Sequence, residues 1–195
     1  NPVREYLFTG SSLTNTASTG SGGNLSVTTG SGYTFVEDRS GNSNAALSVQ
    51  ETQFFAGIIP ASNSQPVNAI GISFWYKFEQ NLTNGSLENI FDFLEGASNN
   101  RFLVRRTGDD SIEFRLSVGG GTSVAVIQES VLTSPTEYTH IYFNIISDAG
   151  QKTVDAYVNG VLNNWSTLPV TSNIFSSNIS SVIGRIDSGT GLNAT

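Results

Sequence analysis

Thr153-Val-Asp-Ala-Tyr-Val-Asn-Gly-Val-Leu162 reads as two short strands joined by a two-residue turn at Asn159-Gly160. A type I′ turn needs φ > 0 at both central positions, which Asn and Gly adopt at least cost. Asn-Gly between alternating apolar residues is therefore the strongest local signal for a hairpin. Before it, Glu137-Tyr-Thr-His-Ile-Tyr-Phe-Asn-Ile-Ile-Ser147 has strand composition and is closed by the turn-like Asp148-Ala-Gly150. Strand, tight turn, strand, hairpin and strand make an antiparallel meander. Regular pairing about Asn159-Gly160 sets Tyr157 opposite Leu162 and Val154 opposite Trp165.

The same alternation extends in both directions. Val3–Phe8, Leu25–Thr28, Tyr33–Val36, Ala45–Val49 and Phe54–Ile59 are strand candidates, and Ala69–Phe78 is the cleanest, rich in aromatic and β-branched residues. Glu88–Leu94, Phe102–Arg106, Ile112–Val118 and Ser123–Gln128 follow, separated by Gly- and Asn-rich turns. Strands recurring without helical periodicity predict an all-β sandwich or barrel. A second hairpin can be registered: pairing Val104 with Phe114 and Phe102 with Leu116 puts every apolar residue on one face, because a slip by one would invert them. That register leaves Gly108-Asp109-Asp110 as the loop and sets Arg105 opposite Glu113, with Arg101 and Arg115 nearby. The face reads as charge-laced and solvated, and secondarily as an anion patch. No domain boundary or repeat interrupts the pattern, so residues 1–195 read as one domain.

Composition narrows the function. The formal net charge of −7 argues against nucleic acid, which demands a basic surface. With no cysteine and a single histidine, His140, thiolate sites, disulfides and His-rich zinc chemistry are excluded or poorly supplied. No apolar run is long enough to insert into a membrane.

Several passages resemble the laminin-G-like, concanavalin A-like jelly rolls. They are Glu5-Tyr-Leu-Phe-Thr-Gly10, Asp38-Arg-Ser-Gly-Asn-Ser-Asn-Ala-Ala-Leu47, Ile72-Ser-Phe-Trp-Tyr-Lys77, Tyr157-Val-Asn-Gly-Val161 and Val182-Ile-Gly-Arg185. The resemblance implies an all-β, two-sheet antiparallel β-sandwich of the jelly-roll type and a non-catalytic carbohydrate-binding or adhesion module of a secreted or surface protein. It also implies a further C-terminal strand, which the sequence lacks after the Val182–Arg185 passage: either the domain is trimmed, or its last strand is disordered, or another segment or chain completes the sheet edge. A structural domain packing in a filament, virion or large adhesin, and a polysaccharide hydrolase or lyase, are the alternatives.

No catalytic residue is assigned. Glu88 and Asp92 share a face of a regular strand, with Glu95 turned away, but lie roughly 13 Å apart along it. Glycosidase pairs sit at about 5–5.5 or 6.5–9.5 Å. His140 and Tyr142 share a strand face, yet no spacing ties them to Arg101, Arg105 or Arg115. For sugar binding, an aromatic wall with a few polar groups is required. Trp75 lies in a strand apolar on both faces and is assigned to the core. Trp165, flanked by Asn163 and Asn164, is the better ligand candidate, with Tyr33 and, more weakly, Phe54 and Phe55. No cofactor is required. Calcium, which takes hard oxygen ligands, has candidates in Asp38 and Asp109-Asp110, although both passages read first as turn chemistry.

Overall fold

A computed structural model describes residues 5–17, 23–29, 33–48, 54–56, 69–77, 87–95, 100–132, 137–148, 150–176 and 179–187. In chain order the strands are β1 (Ser26–Thr29), β2 (Thr34–Val36), β3 (Ala46–Ser48), β4 (Phe54–Ala56), β5 (Ile70–Tyr76), β6 (Leu87–Glu95) and β7 (Arg101–Arg106). They continue with β8 (Ile112–Val118), β9 (Gly121–Ile127), β10 (Thr139–Asp148), β11 (Gln151–Val158), β12 (Val161–Leu168) and β13 (Ile179–Asp187). A seven-stranded sheet runs β1-β4-β13-β6-β7-β8-β9, a four-stranded sheet runs β12-β11-β10-β5, and β2-β3 form a small ribbon. The paired strands are antiparallel.

Alternation decides which side chains meet between the sheets. In β8, β10 and β11 every second residue is buried. Phe143 of the small sheet is the hub: its ring lies 4.7 Å from Phe102, 5.2 Å from Phe114 and 6.5 Å from Phe74. Ile141, Ile145, Val154 and Ala156 complete that inner face, against Phe93, Leu116, Ala125 and Ile127 opposite. Each fully buried side chain of this size contributes about 1.5–3 kcal/mol, so this layer holds the sandwich together.

The β7–β8 hairpin has the expected register: Val104 pairs with Phe114, Phe102 with Leu116 and Arg105 with Glu113. Tyr157 pairs with Leu162 as expected, but Trp165 pairs with Asp155 rather than Val154. A bulge at Asn163 is the reason, since one unpaired residue shifts everything after it by one position. A second bulge, at Ile90, corrects another expectation. Glu88 pairs with the inward-facing Arg106, whereas Asp92 pairs with Leu103 on the outer face. The two carboxylates therefore occupy opposite faces of β6.

Of the predicted strand Val3–Phe8, residues 3 and 4 lie outside the described residues, and the rest is corrected. Residues 5–8 are irregular, because Phe8 adopts φ 56° and the chain turns at once, with the Ser11 amide donating to the Phe8 carbonyl at 3.1 Å. Tyr6 and Phe8 nevertheless pack against the core. β13 sits inside the large sheet, between β4 and β6; the residues after Asp187, where the missing last strand was expected, lie outside the described residues.

Candidate functional site

Parity places Trp75. Along β5 the residues Ile70, Ile72, Phe74 and Tyr76 pack against the core, which leaves Gly71, Ser73 and Trp75 on the outer face. Trp75 is 46% exposed, a correction to its assignment as core. An apolar strand does not bury both faces when only one is covered.

Three segments meet around that indole. The first is the turn after β2, built by Asp38. Its carboxylate accepts from the Ser40 and Asn42 amides at 2.8 and 2.9 Å and from Asn42 Nδ2 at 3.0 Å. These donors, the Asn42 side chain foremost, hold the Asp38 carboxyl below the usual range. The turn sets the Arg39 guanidinium 4.2 Å over the Trp75 ring. The second segment is the end of β5, where the Lys77 ammonium lies 5.1 Å from the Tyr138 ring centre. The third is the entry to β10: the Tyr138 hydroxyl donates to the Glu37 carbonyl at 2.7 Å, fastening that entry to the turn. Together Glu37, Asp38, Arg39, Gly41, Trp75, Lys77, Glu137 and Tyr138 line an open cleft of about 460 Å³.

Its charges are available. Arg101, Arg105, Arg106 and Arg115 are all ion-paired, to Asp92, Glu113, Glu88 with Asp110, and Glu113 respectively. Arg39 and Lys77 have aromatic rings instead and no ion pair to a described carboxylate. Acceptors line the cleft too, in exposed Glu37 and Glu137.

Behind the cleft the outer face of the small sheet continues in cross-strand rows. His140 pairs with Trp75, its ring 5.0 Å away and its Nε2 2.8 Å from Ser73 Oγ. The next row is Ser73, Tyr142, Tyr157 and Leu162; the one after it is Gly71, Asn144, Asp155 and Trp165.

Trp165 is 60% exposed and, with exposed Asn163 beside it, stands at the far side of this face. Asn164 turns the other way: its Nδ2 donates to the Val126 carbonyl at 2.7 Å and its Oδ1 accepts from the Trp165 amide at 2.7 Å. Tyr33 is half-buried, edge-on to Phe35 at 5.9 Å and packed on the core. Asp109 accepts from Thr107 Oγ1 and the Ser111 amide, while Asp110 is buried against Arg106. The three aspartates thus occupy two separate turns, and among the described residues no group of three or more His, Asp or Glu is placed to hold a metal ion. The side chains of Phe54 and Phe55 lie outside the described residues.

Catalytic geometry is equally dispersed. Glu88 faces inward, with the Tyr76 hydroxyl at 3.4 Å and Arg106 at 3.8 Å; burial pushes its carboxyl above the usual range. Asp92 receives both Nε and Nη2 of Arg101, at 2.7 and 2.8 Å. Glu95 accepts from Asn100 Nδ2 and the Ser176 amide inside the sandwich. Arg101, Arg105 and Arg115 decorate the outer face of the large sheet, on the side of the sandwich away from His140 and Tyr142.

Residues 53–194 match the family model for the concanavalin A-like lectin/glucanases superfamily, of laminin-G type. The chain belongs to this superfamily. The match spans the Ile72–Lys77, Tyr157–Val161 and Val182–Arg185 passages that carried the resemblance. Among solved structures, this superfamily member is similar to an endo-1,3-beta-glucanase from Streptomyces sioyaensis at 10% identity and TM-score 0.47, covering 76% of this chain and 60% of that one. It therefore spans somewhat under two thirds of the glucanase. It is also similar to sheep galectin-11, solved in complex with glycerol, at 12% identity and TM-score 0.41, covering 71% of this chain and 94% of that one. A sequence search of curated proteins returned no match. Among the described residues no helix is long and apolar enough to cross a membrane.

The cleft residues Arg39, Lys77, Glu37, Glu137 and Tyr138 were not anticipated from the sequence, since they come from three distant segments. One local signal did exist: Gly71-x-Ser73-x-Trp75 is an outward-facing set of small, polar and aromatic residues.

Proposed function

We propose that this domain is a non-catalytic carbohydrate-binding module of a secreted or surface-attached protein, and that it holds a sugar in the cleft beside Trp75. The observation carrying this reading is the pairing of aromatic walls with charges of both signs that have no ion pair among the described residues. A sugar hydroxyl accepts from one group while donating to another. Arg39 and Lys77 supply donors, Glu37 and Glu137 supply acceptors, and the rings of Trp75 and Tyr138 suit the apolar face of a pyranose. The volume of about 460 Å³ lies in the range of small-ligand sites. Arg39 covers one face of Trp75. An exposed cation–π contact is worth only about 0.5–1 kcal/mol, so a sugar displaces it cheaply and gains a guanidinium for its hydroxyls.

A non-catalytic role is favoured by the bulge at Ile90, which separates Glu88 from Asp92, and by the ion pairs that hold Asp92 and Glu113. The test is binding of the purified domain to a glycan and polysaccharide array, with calcium and again with chelator. Selective binding that Trp75→Ala abolishes supports the reading, and loss with chelator adds calcium to the site. Silence in both conditions transfers the weight to a protein-packing role. Exposed Val161 and Leu162 on edge strand β12 are the surface such a role would use.

A further inference from the structure

We infer that the ligand is an extended glycan chain, which leaves the cleft and crosses the outer face of the small sheet to Trp165. This rests on the sugar-binding reading of the cleft and names the ligand class.

Each strand of that sheet contributes one aromatic residue to a diagonal: Trp75 from β5, Tyr142 from β10, Tyr157 from β11 and Trp165 from β12. Three interstrand steps and four residues along the strands place the end members roughly 20 Å apart. That span suits a run of linked sugars and exceeds any single one. The middle of the diagonal is continuous, with the Tyr142 and Tyr157 rings 5.4 Å apart and tilted by 38°. Tyr142 leans over β5, where Gly71 leaves it room; a β-carbon at Gly71 would sit 3.4 Å from the Tyr142 hydroxyl. Its ring therefore reaches over β5 into the Gly71–Trp165 row, on the side of Ser73 away from Trp75.

Between the rings lie Ser73, Asn144 and Asp155, hydrogen-bonding groups in register with the aromatic residues. Aromatic surface interrupted at every row by a polar side chain fits a ligand whose faces are apolar and whose edges are hydroxylated. Asp155 is the one carboxylate in these rows, and none of their residues is a Lys or Arg. The face is matched to a neutral chain rather than an anionic one. Continuity with the cleft supplies the direction, because His140 joins Trp75 to the same strand that carries Tyr142.

The experiment measures affinity against chain length by isothermal titration. Its probes are laminari-, cello-, xylo- and manno-oligosaccharide ladders with their monosaccharides. For the wild-type domain, affinity should climb with length and level off once the chain reaches from Trp75 to Trp165. Trp165→Ala should pull the ratio of long-chain to monosaccharide affinity down by about 2- to 12-fold, the range of one aromatic contact. Trp165→Phe should restore part of it. A monosaccharide bound as tightly as the longest oligomer overturns the inference and leaves the cleft reading intact. So does a length dependence that Trp165→Ala does not change. Failure of the wild-type domain to bind any of these probes overturns the cleft reading and this inference with it.

Discussion

Alanine introduced at two strand glycines should change stability in opposite directions, and the structure says why. Inside a strand, glycine costs roughly 0.5–1 kcal/mol relative to alanine because the unfolded chain has more freedom to lose. At Gly71 a new β-carbon meets the Tyr142 hydroxyl at 3.4 Å, Tyr142 Cε2 at 3.6 Å and Asn144 Oδ1 at 3.8 Å, which are ordinary contacts. Gly71→Ala should therefore keep the whole gain of about 0.5–1 kcal/mol. At Gly121 the new β-carbon meets Leu168 Cδ1 at 2.9 Å. Leu168 is only 4% exposed and belongs to the core, so its methyl has little room to retreat. Overpacking of this kind costs about 1–3 kcal/mol, which after the same entropic gain of about 0.5–1 kcal/mol leaves Gly121→Ala destabilised by up to about 2.5 kcal/mol. Urea unfolding at fixed pH measures both, with unchanged slope as the check that only stability moved. Combining Gly121→Ala with Leu168→Val should recover part of the loss, as a coupling between touching residues. The same sign at both glycines, or additivity of the Gly121 and Leu168 changes, would refute the packing argument.

Phe143→Ala should lose about 3–5 kcal/mol, because it empties the centre of the ring cluster, and should lower Tm accordingly. Arg101→Ala strands the buried Asp92 carboxylate and should cost about 1.5–3 kcal/mol in the same urea assay. Glu88 has its folded pKa raised by burial, so the folded state holds its proton longer than the unfolded chain does. Stability should fall as pH rises through the window just above the ordinary carboxylate value, and Glu88→Gln should flatten that slope in urea midpoints taken across pH. Asp38 has the opposite sign: its lowered pKa stabilises the turn above the ordinary carboxylate value, and that contribution disappears as pH falls through the folded value. Asp38→Ala should therefore release Arg39 from Trp75, read as a change in Trp75 fluorescence at neutral pH, and should abolish the acid-induced change.

The sequence made the sheets legible wherever the ladder is regular. Phe102, Val104, Phe114 and Leu116 can lie on one face in only one register, and the β7–β8 hairpin adopts it. Where a strand carries a spare residue, counting by twos fails. Asn163 moved Trp165 from an expected partner in Val154 to Asp155, and Ile90 parted Glu88 from Asp92. Neither bulge has a glycine or another local mark to announce it. Trp75 was misplaced for a different reason: the hydrophobicity of β5 was weighed over the whole strand rather than by face, although Gly71 and Ser73 already marked the outer one. The cleft was out of reach because Arg39, Trp75 and Tyr138 are neighbours only after β5, β10 and the turn following β2 have come together.

The bulge at Asn163 makes β12 tolerant of its own length. In a regular strand, deleting one residue inverts every side chain beyond the deletion. Here Leu162 already pairs with Tyr157 and Asn164 with the next residue, Ala156, so Asn163 is surplus to the ladder. A chain shortened by Asn163 keeps Trp165 opposite Asp155 and facing outward, whereas loss of Asn164 or a residue soon after it must be absorbed by drawing Asn163 into its place. Single-residue gains and losses at this corner are thus confined to the loop-like surplus, and the face bearing Trp165 can vary in length without exchanging its inside for its outside.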